Sequence, residues 1–246
     1  MMRIDVLFTP AEITEAAVKG KTVAVIDVLR ACTTIAFALS RGCSNIIPVA
    51  SVEAATSLVA SLDKKVTLLG GEREGKRIDG FDLGNSPAEY TAEIVRRKTL
   101  VLATTNGTRA MSMSEGAKEI LITSFVNMGS VVDHAAQLED EDFTIVCAGK
   151  NNRFALEDTV CAGMVIERLC KDKEAALNDG AQAARGLYRQ NQESISALLR
   201  ECEHGKYLED LGFGRDLEIC SRVDSLSILP LVKQGRIGRP RKPRKK

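Results

Sequence analysis

The feature that most constrains the fold is an alternation of short apolar runs with amphipathic stretches, which continues from the N-terminus to about residue 170. Short apolar runs are typical of buried strands, and the amphipathic stretches between them are typical of helices that cover a sheet. This alternation favours a largely parallel sheet with helices on both faces. The predicted strands are 4–8, 22–27, 45–49, 66–69, 99–103, 119–122 and 143–147, and the predicted helices are 33–41, 52–62, 86–96, 108–115, 126–137 and 154–170.

Beyond residue 170 the pattern becomes mainly helical, with 182–188 and 193–203 as the clearest segments. The sequence therefore predicts an α/β fold, a three-layer α/β/α domain with a helical C-terminal extension. We assign residues 1–232 to this domain and leave open a division into two lobes near residue 124. Residues 233–246 are rich in Lys and Arg, and we expect them to form a basic, disordered tail.

The composition narrows the class of protein. The chain has 246 residues, 44% of them hydrophobic, and a net charge of +1, so it can bury a full core and its body is not built to bind nucleic acid. Its seven cysteines include no C-x-x-C pair, which is typical of reduced thiols. The N-terminus lacks the apolar core of a signal peptide, and no apolar run approaches the roughly 18 residues that span a bilayer. We therefore expect a cytoplasmic protein that does not enter membranes.

Polar side chains cluster where the predicted strands end, which is where open α/β sheets bind their ligands. The segment DVLRACTT follows the second strand and places Asp27 and Arg30 before a helix whose first N–H groups can receive an anion. The segment TTNGTRA follows the fifth strand and offers hydroxyls, close backbone approach and the bidentate donor Arg109.

Two further loops carry the same kinds of side chain. The segment from Gly70 to Pro87, GGEREGKRIDGFDLGNSP, is unusually long for a compact α/β domain, and such loops are often functional. The segment CAGKNNRFALEDTVCAG follows the seventh strand and carries Glu157 and Asp158 near the start of a helix. We expect the four loops to meet in one crevice at the carboxyl edge of the sheet.

The residue types indicate the chemistry of this crevice. Carboxylates suit a hard, oxygen-ligated ion such as Mg²⁺, while arginines and backbone amides suit phosphate or sulfonate oxygens. With two histidines in the chain, zinc-hydrolase and histidine-phosphatase mechanisms fit poorly. The predicted metal ligands are Asp27, Glu72, Glu157 and Asp158, of which Asp27, Glu72 and Asp158 are also predicted to be catalytic. Candidate anion ligands are Arg30, Arg109 and either Arg73 or Arg77, and Asp79 and Asp82 are alternatives to Glu72 for the metal.

These four loop segments, the first of them extended to VIDVLRACTT, and the later HGKYLEDLGFGRDLEIC resemble the motifs of the 2-phosphosulfolactate phosphatase family over about residues 1–232. The resemblance implies a three-layer α/β/α fold around a mixed sheet. It also implies magnesium-dependent hydrolysis of 2-phospho-3-sulfolactate to sulfolactate and phosphate, in coenzyme M biosynthesis. All of the predicted metal ligands fall within the matching motifs. From the same motifs the resemblance implies a set of substrate-binding residues, which are Arg30, Arg73, Asn85, Ser86, Thr105, Asn106 and Arg109. We expect a small anionic phosphate ester as substrate, hydrolysed by a metal-activated water, and leave a homodimer open.

Two alternatives stay open at this point, and a third fits the residues poorly. The segment from Cys147 to Arg153 has the C-x5-R spacing between a strand and a helix, which is typical of metal-independent cysteine phosphatases. An aspartyl-phosphate mechanism of the haloacid dehalogenase type is weaker, because Leu29 stands where the second carboxylate is required. In a different class, the run 238–240 in the basic tail resembles the core of an AT-hook, which would make the chain a nucleic-acid-binding protein.

Overall fold

The computed structural model describes residues 1–138, 142–171 and 174–240. The α/β fold is confirmed: within the described residues, eleven strands form one mixed, mostly parallel sheet with helices on both faces. All of the predicted strands are present, with bounds within a few residues of the prediction. The strands are β1 (Met2–Leu7), β2 (Thr22–Ile26), β3 (Asn45–Val49), β4 (Thr67–Arg73), β5 (Lys76–Arg77), β6 (Thr99–Ala103), β7 (Glu119–Thr123), β8 (Phe143–Cys147), β9 (Ala175–Leu177), β10 (Leu231–Lys233) and β11 (Arg236–Gly238).

Helices follow most of these strands, as the alternation predicts. Short 3₁₀ helices occupy Pro10–Glu12, Pro87–Glu89 and Phe125–Asn127. None of the helices formed by the described residues is both long and apolar enough to cross a bilayer. The α-helices are α1 (Glu15–Val18), α2 (Ala31–Ser40), α3 (Val52–Ala60), α4 (Ala92–Val95), α5 (Gly107–Met113), α6 (Met128–Ala135), α7 (Leu156–Leu169), α8 (Asp179–Asn191), α9 (Ile195–Glu201), α10 (Glu203–Asp210) and α11 (Gly214–Cys220).

Two predicted helices are interrupted. The predicted helix 86–96 is a 3₁₀ turn followed by α4, because the intervening Tyr90 leaves helical geometry, buries its ring and donates its hydroxyl to Gly84 O at 2.7 Å. The predicted helix 193–203 ends before Cys202, which adopts an extended backbone and whose Sγ accepts a hydrogen bond from Gly205 N. A Cβ at Gly205 would lie 1.6 Å from Leu199 O, so the close contact between α9 and α10 requires glycine there.

The strand order is β5-β4-β6-β3-β11-β10-β7-β2-β8-β1-β9. It contains two parallel blocks, β4-β6-β3 and β7-β2-β8-β1-β9, and the antiparallel hairpin of β10 and β11 lies between them. The strand β2 pairs with β7 on one side and β8 on the other, so residues before and after position 124 share one sheet rather than forming two lobes.

The central strand shows why the sheet is buried on both faces. Ala24 and Ile26 pack into a core with α6, α7 and α8, while Val23 and Val25 pack on the opposite face with α2 and α5. All five residues of β2 are buried, as expected for a parallel strand covered by helices on both sides. The carboxyl ends of β2, β4, β6 and β8 therefore emerge from a rigid, close-packed platform.

The predicted basic tail differs from the structure over residues 233–240. Ile237 is fully buried in β11 and pairs with Ile46 of β3, and Arg239 donates a hydrogen bond to Leu39 O. The AT-hook-like run 238–240 therefore begins within β11 and is joined to α2 through Arg239, and the rest of the predicted tail, 241–246, lies outside the described residues. The Gln234-Gly235 turn, in which both residues have positive φ, allows the two-residue hairpin.

Candidate active site

A cleft of about 570 Å³ opens at the carboxyl ends of β2, β4 and β6 and beside the loop after β8. Helix α10 forms its far wall. The residues that line the cleft are Asp27, Leu29, Arg30, Glu72, Arg73, Glu74, Gly75, Asn85, Thr104, Thr105, Asn106, Lys150, Asn151, Glu203, His204, Tyr207 and Leu208. A larger cavity of about 1010 Å³ lies beside the C-terminal hairpin and holds none of the predicted site residues. The predicted crevice is therefore the smaller cleft.

Asp27 lies on the cleft floor directly after β2. Its Oδ1 accepts a hydrogen bond from Ala31 N at 3.0 Å, at the first turn of α2. Burial raises the pKa of Asp27 to about 6; His204 and the Ala31 N–H lower it, while Glu72 and Glu157 raise it. A Cβ at Gly107 would lie 2.7 Å from Asp27 Oδ2, so this glycine leaves the space that the carboxylate occupies. Asp27 is therefore a desolvated carboxylate at the centre of the cleft.

Glu72 connects two of the strand-end loops. Its Oε1 accepts from Thr105 N at 2.8 Å and its Oε2 from Gly75 N at 2.9 Å, which fixes the loops after β4 and β6 relative to each other. The residue is 8% exposed and lines the cleft. Each carboxylate oxygen has more than one lone pair, so Glu72 can still accept from, or ligate, a group in the cleft.

Asp158 lies behind the cleft wall instead of in it. Its Oδ1 accepts from Val28 N at 2.9 Å and its Oδ2 from Gly149 N at 3.0 Å, so one carboxylate joins the loops after β2 and β8. Burial, reinforced by the charges of Glu157 and Asp27, raises the pKa of Asp158, although the two backbone donors oppose this effect. The structure thus places Asp158 as a brace for the strand ends and does not place it in the cleft lining.

Glu157 pairs with a histidine that the predicted site residues did not include. Its Oε1 lies 3.1 Å from His204 Nδ1, and its side chain is 2% exposed. His204, Tyr207 and Leu208 all line the cleft, as residues spaced three and four apart on one face of α10 do. His204 lies in the segment HGKYLEDLGFGRDLEIC that was noted for its resemblance, and its position there was the available signal.

Arg30 lines the cleft, but its guanidinium is already paired. Nη1 donates to Asp216 Oδ2 at 2.7 Å, Nη2 donates to Gly75 O at 2.6 Å, and the guanidinium carbon lies 4.2 Å from the centre of the Phe213 ring. Ser86 Oγ donates to the other oxygen of Asp216 at 2.6 Å. The structure therefore engages the predicted substrate-binding residues Arg30 and Ser86 in a buried network around Asp216.

The accessible cations of the cleft are Arg73 and Lys150. Arg73 Nη1 donates to the backbone oxygen of Glu72 at 2.9 Å. Lys150 Nζ lies 4.5 Å from the centre of the Tyr207 ring and 3.6 Å from Glu203 Oε1. Arg109 lies outside the cleft lining, and its Nη1 donates to Asn152 Oδ1 at 2.7 Å. Arg73 is therefore the predicted arginine that the structure leaves best placed for a substrate anion.

The remaining predicted residues, Asn85, Thr105 and Asn106, all line the cleft. Asn106 Oδ1 accepts from Asn151 N at 3.3 Å and so joins the loops after β6 and β8. Asn85 is 5% exposed, and its Oδ1 has no hydrogen-bond partner within the described residues. A buried, unpartnered amide oxygen costs free energy unless a ligand, ion or water satisfies it. Asn85 Oδ1 thus indicates that the cleft receives another polar group.

The donor set bears on the predicted Mg²⁺ site. Within the described residues, no group of three His, Cys, Asp or Glu side chains has the arrangement of a metal site. Mg²⁺ usually keeps several waters and binds through one or two carboxylates plus substrate phosphate. Asp27 and Glu72, with the amide oxygen of Asn85, supply oxygen donors of this kind in one cleft. These residues fit a hydrated Mg²⁺, whereas Glu157 and Asp158 are engaged elsewhere.

The structure contradicts the cysteine-phosphatase alternative. Cys147 is fully buried in the core at the end of β8, and burial, together with the charge of Asp158, raises the pKa of its thiol well above the ordinary value. A nucleophilic cysteine requires an accessible thiolate with a lowered pKa. Arg153 is exposed and absent from the cleft lining.

Comparison with known proteins identifies the family of the chain. The family model described as 2-phosphosulpholactate phosphatase matches residues 7–235. A Clostridium novyi (strain NT) protein named probable 2-phosphosulfolactate phosphatase is 41% identical over 93% of this chain and 96% of its own. Proteins of the same name from Clostridium tetani and Clostridium acetobutylicum are 39% and 40% identical, over 95% and 96% of this chain and 99% and 100% of theirs. The chain therefore belongs to the 2-phosphosulpholactate phosphatase family.

Proposed function

We propose that this protein hydrolyses the phosphate monoester of 2-phospho-3-sulfolactate, or of a similar anionic phospho-hydroxy acid, with Mg²⁺ as cofactor. The observation that supports this most directly is the cleft itself. It combines the desolvated Asp27, the oxygen donors Glu72 and Asn85 Oδ1, and the cations Arg73 and Lys150 at one edge of the sheet.

Phosphoryl transfer depends largely on positioning and on charge stabilisation. Asp27, Glu72 and Asn85 would hold Mg²⁺, which supplies positive charge to offset the phosphoryl oxygens. Arg73 and Lys150 would contact the anionic oxygens of the substrate, and Leu29 and Leu208 provide apolar surface that limits the access of bulk water. Asp158 and Glu72 hold the loops of these residues in register through four backbone hydrogen bonds.

Charge selects the substrate in this proposal. A phosphate with its Mg²⁺ leaves Arg73 and Lys150 able to bind a second anionic group, such as a sulfonate or a carboxylate. Each charge-assisted contact contributes about 1.5–3 kcal/mol, which is about tenfold or more in catalytic efficiency. The protein should therefore prefer 2-phospho-3-sulfolactate and phospholactate over glycerol phosphate, which has a neutral tail.

Phosphate release from this panel, measured with Mg²⁺ and with a chelator, tests the proposal. We expect activity to be lost in chelator and restored by Mg²⁺. Arg73→Met should lower the ratio of kcat/KM for esters with anionic tails to kcat/KM for glycerol phosphate. The matched control Arg109→Met should leave this ratio unchanged, because Arg109 lies outside the cleft lining. Full activity in chelator would refute the role of Mg²⁺, and equal efficiency with charged and neutral tails would refute the proposed substrate class.

A further inference from the structure

His204 lines the cleft, and the proposed function gives it no role. It lies in the second position of α10, and its side chain is 16% exposed. Nδ1 contacts Glu157 Oε1 at 3.1 Å, whereas Nε2 has no hydrogen-bond partner among the described residues. The two nitrogens lie on different edges of the ring, so a ring held through Nδ1 has Nε2 available for a molecule bound in the cleft.

The partner of Nδ1 sets the direction of this hydrogen bond. A carboxylate accepts hydrogen bonds, so Nδ1 donates to Glu157, which is 2% exposed. When the imidazole carries a second proton, that proton is on Nε2, the nitrogen left free for a bound molecule. His204 also lowers the pKa of Asp27.

The backbone around His204 fixes the ring in place. The thiol of Cys202 accepts from Gly205 N at 3.3 Å, and Gly205 packs against Leu199 O at a distance that excludes any side chain. Tyr207, on the same face of α10, donates to Glu74 O at 2.8 Å and so joins the helix to the loop after β4. A general acid needs this kind of positioning before its protonation state matters.

The proposed reaction creates a need for a proton. The hydroxy acid departs through an alkyl oxygen, and an alkoxide is a strongly basic leaving group. The carboxylates Asp27 and Glu72 fit an ion in the proposed site, and the cations Arg73 and Lys150 are assigned to the anionic oxygens of the substrate. His204 Nε2 is a donor in the cleft lining that has neither of these tasks.

We propose that His204 is the general acid of the reaction, with Glu157 as the residue that positions it. This inference rests on the proposed phosphatase function. As the bond between phosphorus and the ester oxygen breaks, its electron pair remains on that oxygen, which takes the proton of Nε2. The attacking water supplies the new oxygen on phosphorus and releases a proton, which returns to His204 before the next turnover.

The test compares esters whose leaving groups differ in basicity. Phospholactate leaves as an alkoxide, whereas phosphoenolpyruvate, which has nearly the same shape and charge, leaves as a less basic enolate, and 4-nitrophenyl phosphate leaves as a phenolate. His204→Gln should lower kcat/KM for phospholactate by about 10²–10⁴-fold and should affect the two better leaving groups far less. Glu157→Gln should show the same selectivity with a smaller loss.

The second histidine provides a matched control. His134 lies on α6, and its Nε2 is 2.8 Å from Oε1 of Glu119 in β7. Neither residue lines the cleft, so His134→Gln removes a similar pair and should leave all three rates unchanged. An equal loss of kcat/KM with all three esters in His204→Gln would overturn the proposal, because a structural or binding role does not depend on the leaving group. If His204→Gln does not fold, the rates of the wild-type enzyme with the three esters provide the test. A weak dependence of the rate on leaving-group basicity supports a general acid, and a steep dependence overturns the proposal. Absence of phosphate release by the wild type from every ester would instead refute the phosphatase function.

Discussion

The buried ion pair of Arg30 and Asp216 tests whether Arg30 stabilises the fold, as its contacts indicate, or binds substrate, as the sequence predicts. Arg30 is 3% exposed and Asp216 is 2% exposed, and their charged atoms lie 2.7 Å apart. Removing one partner of a buried ion pair leaves an uncompensated charge in the protein interior, which costs about 3–5 kcal/mol. The remaining contacts of Arg30, to Gly75 O and to the Phe213 ring, cannot neutralise a guanidinium.

We therefore expect Asp216→Ala to lower the free energy of unfolding by about 3–5 kcal/mol. For a chain of this size, about 2–4 °C of melting temperature corresponds to each kcal/mol, so the melting temperature should fall by about 6–20 °C. Arg30→Met should cost a similar amount, because it leaves the carboxylate of Asp216 with the hydroxyl of Ser86 as its donor.

Urea unfolding of both single variants and of Arg30→Met/Asp216→Leu measures the coupling between the two residues. The double variant should lose much less than the sum of the single losses, since apolar replacement of a whole buried pair is often tolerated. The exposed pair of Arg200 and Glu209 is the control, and Glu209→Ala should cost less than about 1 kcal/mol. An Arg30→Met variant with unchanged stability and a raised KM would refute this reasoning and restore Arg30 as a substrate ligand.

Further predictions concern the core, the cleft and the hairpin. Cys147→Ser should keep kcat/KM within about threefold in a phosphate-release assay. It should lower the free energy of unfolding by about 1–3 kcal/mol, because it buries a hydroxyl in the core. A folded but inactive variant would favour a thiolate mechanism. Gly107→Ala should lower kcat by about tenfold or more, because its Cβ would lie 2.7 Å from Asp27 Oδ2. A variant with an unchanged kcat would show that the Asp27 carboxylate can move away from the added methyl group. Ile237→Ala should cost about 2–5 kcal/mol in urea unfolding, whereas Ile94→Ala, at a residue 40% exposed, should cost much less; equal effects would show that the hairpin is not packed as described.

Periodicity was sufficient to predict the parallel core of the fold. The runs that became β2 and β8 are continuous apolar segments buried on both faces, and such segments are hard to mistake when helices separate them. The C-terminal hairpin was missed because the basic composition of residues 233–246 suggested solvation. A local signal was present, since Gln234-Gly235 between short apolar runs is compatible with a two-residue turn.

The site was predicted at the level of loops better than at the level of side chains. Asp27, Glu72 and Asn85 do line one cleft, because the carboxyl ends of parallel strands meet at one edge of the sheet. The sequence alone could not show that Arg30 pairs with Asp216, because the two residues are 186 positions apart and no local pattern predicts the contact. Arg30 was therefore predicted to bind substrate. His204 was not predicted, because the presence of only two histidines argued against histidine mechanisms and the position of His204 on its helix was not considered.

The hairpin between the two parallel blocks has a consequence for how the protein is made. Translation makes β10 and β11 after the other described strands, so until they emerge β7 and β3 each carry an unpaired backbone edge. Unpaired edges of apolar strands recruit other chains, and growing polypeptides are exposed to this hazard for seconds. A chain truncated before residue 231 would therefore have both edges open, and it is the synthesis of the hairpin that closes the sheet.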